Sequence, residues 1–512
     1  MKKILLIPLD ERPCNYDFTT FMVKDTDIEI VKPPRDILGK KKQAGDVDAI
    51  FEWAKDNIRE CDGAIIALDT LIYSSILASR LHHESVATLT QRLERIKQLK
   101  EINPNFKLFA YTLIMRNPQY SSNDEEPDYY QEVGREIHRY GVINHKIELG
   151  IATEEEKEEL RCINQMMPTE YLTDYLERRT KNIEINKRAI ELTRDGVIDF
   201  LIIPQDDSSP YGLTAKDQQL IRQHIRDTKQ QLRAYMYPDA DSVANTLLAR
   251  LVNDMHGKRP LVYLKYASAL GDTITPLFED RTVNETIKYH ILAAGGLIAS
   301  CVSEADIILM LNSPSANPQC HEVMSDVVIP LPKMIEYDAN RNLIEQVEYA
   351  DYAINVLKKE VVFADIAYAN GGDPTLFELL REKGLLFKIS SYAGWNTSSN
   401  TLGTCIPHGM LHAIYGDRQG HRDFLALRYV EDVAYMCFVI KDVTSNVIKD
   451  MGYNYFLLDG QRGEVSKIIW DKLQKITDDY ICDDSHSIKI IDSYQPWNRM
   501  FEVGLTVICE DT

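Results

Sequence analysis

The sequence predicts an α/β protein built on parallel sheet. From residue 3 to about residue 391, short aliphatic or β-branched runs alternate with polar turns and helical stretches, the order that crossover-connected parallel strands require. Strand after strand also ends in polar, chemistry-bearing residues, and in parallel sheets ligands bind at the carboxyl ends of the strands. The 512-residue chain is long enough for one large α/β body with a companion, or for two or three domains.

In chain order the expected strands are 4–9, 28–32, 64–68, 107–115, 200–205, 233–236, 261–267, 306–311, 361–367 and 386–390. That is more than one plain eight-stranded barrel uses. The expectation is an elaborated (β/α)8 barrel with extra edge strands, and the alternative is two doubly wound lobes. The stretch 118–198 reads as a helical insertion between the first part of the α/β body (1–117) and the second (199–409). Within it Thr153-Glu154-Glu155-Glu156 has the form of a capping box, and a long helix over 168–195 closes at Gly196. Arg178, Asn182 and Asn186 share one face of that helix, either solvated or lining a polar site. Residues 410–512 read as a mainly helical C-terminal subdomain.

Composition narrows the function. The balance of 58 basic against 78 acidic residues leaves a formal charge of −20, which disfavours nucleic acid as a partner. No apolar run approaches the roughly 20 residues of a membrane span, and no secretion signal is visible. The nine cysteines include no C-x-x-C pair, which argues for reduced thiols, a cytoplasmic location and no structural zinc. The pair His408 and His412 has no acid between its members and reads as packing, not as a metal motif. Oligomeric state has no signature.

Gln205-Asp206-Asp207 is the strongest chemical signal, because the apolar run Phe200–Ile203 delivers two adjacent carboxylates straight from a buried strand. Like charges in a low-dielectric site raise one pKa, as a general acid near neutral pH requires. The same pair could instead cap the following helix. Aromatic groups beside amides and carboxylates suit a carbohydrate, since rings stack on sugar C–H faces while fixed polar groups meet hydroxyls. The residues expected to bind substrate are Asp10, Arg12, Asn15, Asp69, Arg116, Gln205, Tyr211, Asn312, Asp365, Tyr368, Asn370, Asp373, Tyr392, Trp395 and Asn396, with Asp206 and Asp207 catalytic. Arg12, Arg80 and Arg116 could bind an anionic group or pair with nearby aspartates. Asn370-Gly371-Gly372-Asp373 marks a turn with exposed amides, but it lacks the spacing of a nucleotide-phosphate cradle. No cofactor is expected. An Asp-rich divalent-metal hydrolase or phosphoryl-transfer site from Asp10, Asp69, Asp206 and Asp365 is the alternative, and a non-catalytic sugar- or metabolite-binding protein a third reading.

The motifs from Ile7 to Asp17, Leu68-Asp69 with Ala78-Ser79-Arg80, Gln205-Asp206-Asp207 with Tyr211-Gly212, Ala364 to Asp373, and Tyr392 to Thr397 together resemble a bacterial domain-of-unknown-function family spanning nearly the whole chain. That resemblance implies no activity. Locally, Asp206-Asp207 and Asn312-Ser313-Pro314 are similar to the paired aspartates and Asn-x-Pro element of the O-GlcNAc hydrolase family. It implies a barrel acting by substrate assistance: Asp206 would orient the acetamido group, Asp207 would be the acid/base and Asn312 a hydroxyl contact. The expected function is therefore a glycoside hydrolase acting on small glycans that contain an N-acetylhexosamine.

Overall fold

The computed structural model describes residues 1–315, 317–321, 323–324, 327–328, 337 and 339–512. The chain divides into two compact units. The first comprises 1–11, 29–244 and 278–280; the second comprises 12–28, 245–277 and 281–512.

The first unit holds a six-stranded sheet of β1 (Lys2–Ile7), β2 (Ile28–Val31), β3 (Gly63–Ala67), β4 (Lys107–Tyr111), β5 (Phe200–Gln205) and β6 (Ala234–Pro238). Its spatial order is β2-β1-β3-β4-β5-β6, and the pairs from β1 to β6 are parallel, with Ile4 opposite Gly63 and Leu201 opposite Ala234. Every residue of β3 and β5 is buried, which explains why these strands read as unbroken apolar runs.

The second unit holds a five-stranded sheet of β7 (Leu261–Tyr266), β8 (Leu297–Ile298), β9 (Ile307–Asn312), β10 (Glu360–Asp365) and β11 (Ser391–Ala393), ordered β11-β10-β9-β7-β8 and parallel throughout. Near the C-terminus β12 (His486–Tyr494) and β13 (Gly504–Asp511) form an antiparallel hairpin that the sequence reading did not anticipate. Helices occupy much of 398–476, so the hairpin sits in an otherwise helical segment.

Neither large sheet closes on itself. The expected barrel is therefore replaced by two open sheets, each with the 2-1-3-4-5 order of doubly wound folds, extended in the first unit by β6. Strand counting could not reveal this, because closure depends on which strands pair and not on how many there are. The last expected strand is also displaced. Residues 386–390 form tight turns, with Lys388 and Ile389 N–H both donating to Leu385 O, and pairing begins only when Ser390 N–H reaches Val361 O at 2.7 Å. Buried Leu385, Leu386 and Ile389 mimic a strand's apolar run without its backbone. The short β8 was not expected.

Three helices fill the stretch after β4. These are α1 (Tyr130–Glu148), α2 (Glu154–Met166), which opens with the full Thr153/Glu156 capping box, and α3 (Thr169–Arg194). Their contacts form a core of their own, with Tyr130, Ile137, Ile143, Ile163 and Tyr175 packed beside Met115 and Leu213. Gly196 follows α3 with φ +78°, a left-handed conformation that glycine adopts without steric cost.

Candidate functional site

In the first unit the chemistry gathers at the carboxyl edge of the sheet. β5 ends in buried Gln205, whose Nε2 donates to Asp280 Oδ2 at 2.9 Å. The chain then turns through Asp206 and Asp207. Asp207 has φ +44°, an unfavourable region for a residue with a Cβ, and such strain concentrates at functional turns. It does not cap the next helix, which begins at Leu213 with Gly212 as its N-cap.

Two arginines tie the pair down. Arg80 lies on the short helix Ile76–Leu81, N-capped by Ser75, and its Nη2 donates to Asp206 Oδ2 at 2.5 Å. Arg116, in the loop after β4, donates from Nη1 to Asp207 Oδ2 at 3.2 Å. The same guanidiniums serve Glu125 and Glu126. Arg116 Nε meets Glu126 Oε1 at 2.7 Å and its Nη2 meets Glu125 Oε2 at 3.0 Å, while Arg80 Nη1 reaches the same two acids at 3.4 and 3.1 Å. Two positive charges thus face four carboxylates, so the arginines are committed to acids and not open for an anionic ligand. Burial pushes the Asp206 carboxyl up to about 6 against the pull of Arg80, with Asp207 adding to the rise; burial likewise raises Asp207. The Asp207 side chain is 24% exposed and that of Asp206 12%, so Asp207 is the more accessible acid.

Asp10 and Asp69 follow β1 and β3, the switch point of this strand order, where open α/β sheets bind ligands. Both are buried. Asp69 Oδ2 accepts from Leu113 N–H at 3.0 Å. Tyr211 is half-buried beside Lys146 and His145. The polar face of α3 is buried, not solvated. Arg178 Nε donates to His82 O, Asn182 accepts from Tyr73 Oη at 3.1 Å and donates to Ser79 O at 2.9 Å, and Asn186 donates to Leu113 O at 3.2 Å. This helix face therefore braces the segments that carry Arg80 and Asp69.

The second unit receives Arg12, Asn15, Asn312, Asp365, Tyr368, Asn370, Asp373, Tyr392, Trp395 and Asn396. Most are locked to one another. Asp365 Oδ1 accepts from Asn312 Nδ2 at 2.9 Å, and its Oδ2 accepts from Tyr392 Oη and from Asp373 N–H, each at 2.7 Å. Arg341 Nη1 donates to Asn312 Oδ1 at 2.9 Å and to Asp373 Oδ2 at 2.7 Å. Trp395 is packed edge-on against Phe18, with Nε1 donating to Thr404 Oγ1 at 3.1 Å. Tyr368 stacks on Tyr337 with ring centroids 5.3 Å apart. Arg12 lies over Trp497, 4.4 Å from the ring centroid, and 3.7 Å from Glu502; Asn15 is buried.

Three of the glycine turn's four amides, those of Asn370, Gly372 and Asp373, are already bonded. Gly372 N–H donates to Asp432 O at 3.0 Å, and Asn370 N–H donates to Asn396 O at 2.8 Å, joining the two motif loops. Asp432 lies in a π-helix, Val430–Val439, and accepts Gly394 N–H at 2.7 Å while pairing with fully buried Arg428. His408 is likewise in use, bonding Ser391 Oγ at 3.0 Å and His421 Nδ1 at 2.9 Å, while His412 Nδ1 bonds Glu360 at 2.6 Å.

Among the described residues no group of three or more His, Cys, Asp or Glu side chains stands so as to hold a metal ion, and none of the nine cysteines forms a disulfide. The proposed four-aspartate metal set is divided, with Asp10, Asp69 and Asp206 in the first unit and Asp365 in the second. Sequence reasoning missed Glu125 and Glu126, signalled by the acidic run that begins eight residues after Arg116. It also missed Asp239 and Asp241, which follow β6 as Asp206 follows β5.

Fold and site together define an α/β protein with two open parallel sheets and an acid-rich strand edge. The chain belongs to the family described as proteins of unknown function, DUF4127, whose pattern matches residues 4–506. No curated protein and no solved structure matches it. Among the described residues no helix is long and apolar enough to cross a membrane.

Proposed function

We propose that the first unit carries an acid/base hydrolytic site and that the protein is a glycoside hydrolase acting on small glycans that contain an N-acetylhexosamine. One observation carries the reading: two adjacent acids leave a buried strand on a strained turn, and burial raises the pKa of both. In the proposal Asp207, the more accessible acid, protonates the leaving oxygen and then activates water. Asp206, held by Arg80, orients the substituent at the sugar's 2-position; with an acetamido group there, that substituent can act as internal nucleophile. Asn312 has no part in this scheme, because its amide is buried and bonded to Asp365, Asp373 and Arg341.

A panel of aryl glycosides assayed with wild type, Asp206→Asn and Asp207→Asn tests the proposal. Each substitution is expected to lower kcat/KM by about 10²–10⁴-fold. For Asp207→Asn the loss is expected to be largest with poor leaving groups, which need protonation most. Because the acid must hold its proton and burial raises Asp207 above the ordinary carboxylate range, wild-type activity is expected to fall as pH rises, with the pair titrating as a unit. Turnover that survives both substitutions overturns the assignment.

A further inference from the structure

The second unit holds a lysine whose partner is an imidazole instead of an acid. His321 follows the short strand Gln319–Cys320, which pairs in parallel with Tyr368–Ala369, and its N–H donates to Ala369 O at 2.9 Å. The ring is buried, and burial together with the Lys441 charge holds its pKa down at about 4, so it is neutral. Its Nε2 lies 3.0 Å from Gly372 O, which can only accept. Nε2 therefore carries the hydrogen, and Nδ1 is an acceptor. Lys441 Nζ meets that Nδ1 at 2.9 Å. Lys441 is half-buried on the helix Ile440–Asn446, one turn beyond Cys437, whose Sγ lies 4.0 Å from His321 Nε2 and donates to Gly372 O at 3.3 Å. The other groups about the pair add no counter-charge at Nζ. Asn370 Nδ2 donates to Cys320 Sγ at 3.2 Å, and the Tyr368 ring meets His321 edge-on with centroids 5.1 Å apart. Asp373, whose field reaches His321, is bound to Arg341 at 2.7 Å, and Asp442 pairs with Lys472 at 2.8 Å. Among the described residues no carboxylate pairs with Lys441. Burial accordingly holds its amine below the ordinary lysine range.

We infer that Lys441 is a nucleophilic amine that condenses with the carbonyl group of a small aldehyde or ketone, with His321 as its proton acceptor. A lysine that sheds its charge readily, beside a base within hydrogen-bond reach, is the arrangement that imine formation needs. Nζ attacks the carbonyl carbon, a C–N bond forms, and the carbonyl π pair moves to oxygen. The oxygen takes a proton from solvent, and the nitrogen gives one to His321 Nδ1. The hydroxyl then leaves with the proton that His321 returns, so the products are one water and an imine that keeps the solvent proton. No oxidant or reductant is consumed. Attack requires the uncharged amine, and without the Lys441 charge one of the two influences that keep His321 unprotonated is gone. Neither residue has a part in the hydrolase reading, whose acids lie in the first unit.

Glycolaldehyde with sodium cyanoborohydride tests this on the full chain. The added hydride reduces any imine to a stable secondary amine, and peptide mapping by mass spectrometry reads which lysines carry it. In limited labelling near neutral pH, Lys441 is expected to be modified about tenfold faster than exposed Lys467, and its labelling to level off at a lower pH. His321→Gln keeps an N–H for Gly372 O but removes the imidazole base, so it is expected to slow modification of Lys441 several-fold and to leave Lys467 unchanged. Lys441 modified no faster than Lys467 in the wild-type protein overturns the proposal, whether or not the variant folds. A folded His321→Gln protein that labels Lys441 at the wild-type rate overturns it as well.

Discussion

Asp69 shows how far burial sets the chemistry of single residues here. Its carboxyl is pushed up to about 7 chiefly by burial, with the Leu113 N–H pulling the other way. A carboxyl whose folded-state pKa lies above its unfolded value binds more protons when folded. Its contribution is fully present below about pH 4 and is lost as pH rises through about 7. Asp69→Asn should therefore flatten the fall in stability between pH 4 and pH 7, by at most about 4 kcal/mol, in urea denaturation measured across that range. A stability profile as steep in the variant as in wild type would refute the assignment. Asp206, Asp207 and Asp69 were legible because each stands one to four residues past an apolar run. Tyr111 was not, because in sequence it is simply the last residue of a strand, and only the fold shows that its hydroxyl is buried.

At the scale of elements, strand positions were largely readable, since nine of the ten expected runs overlap observed strands. Pairing order was not, because parallel neighbours are brought together by crossovers that leave no mark on strand sequence. The motif glycines illustrate the same divide. Gly372 and Gly394 suggest a ligand loop when read alone, yet a Cβ on Gly372 would stand 2.3 Å from Tyr392 Oη and one on Gly394 would stand 3.0 Å from the Gly372 Cα. The two loops need bare backbone to lie against each other. Gly372→Ala should therefore displace Tyr392 from Asp365 and destabilise the protein by about 1–3 kcal/mol, read as a lowered urea midpoint. An unchanged midpoint would show that the loops can part freely. The π-helix that supplies Asp432 O to the Gly372 amide and Cys437 Sγ to Gly372 O was also invisible, since its wider turn does not disturb an apolar pattern already buried on every side.

For the whole molecule, the surplus of 20 negative charges is partly an internal matter. Acids at the first sheet's edge and around Asp365, Glu431 and Asp432 are buried, so net charge alone overstates how acidic the exposed surface is. The recurrence of the 2-1-3-4-5 strand order in both units was beyond sequence reading, because the order in which strands pair leaves no mark on the strands themselves. Chain routing adds a further property. Residues 12–28 leave the first unit to complete the second, where Lys24 pairs with Asp423 at 2.6 Å, and 278–280 return to the first, where Asp280 holds Gln205. No single cut can therefore release either unit whole, and a chain ending at residue 244 lacks Asp280 while carrying a segment that belongs elsewhere. Each unit is completed by a chain segment that interrupts the other in sequence, so loss of order in one should spread to the other. Trp53 reports on the first unit and Trp395, Trp470 and Trp497 on the second, and their fluorescence transitions in denaturant should coincide. Two separated transitions would show that each unit holds its borrowed segment without help.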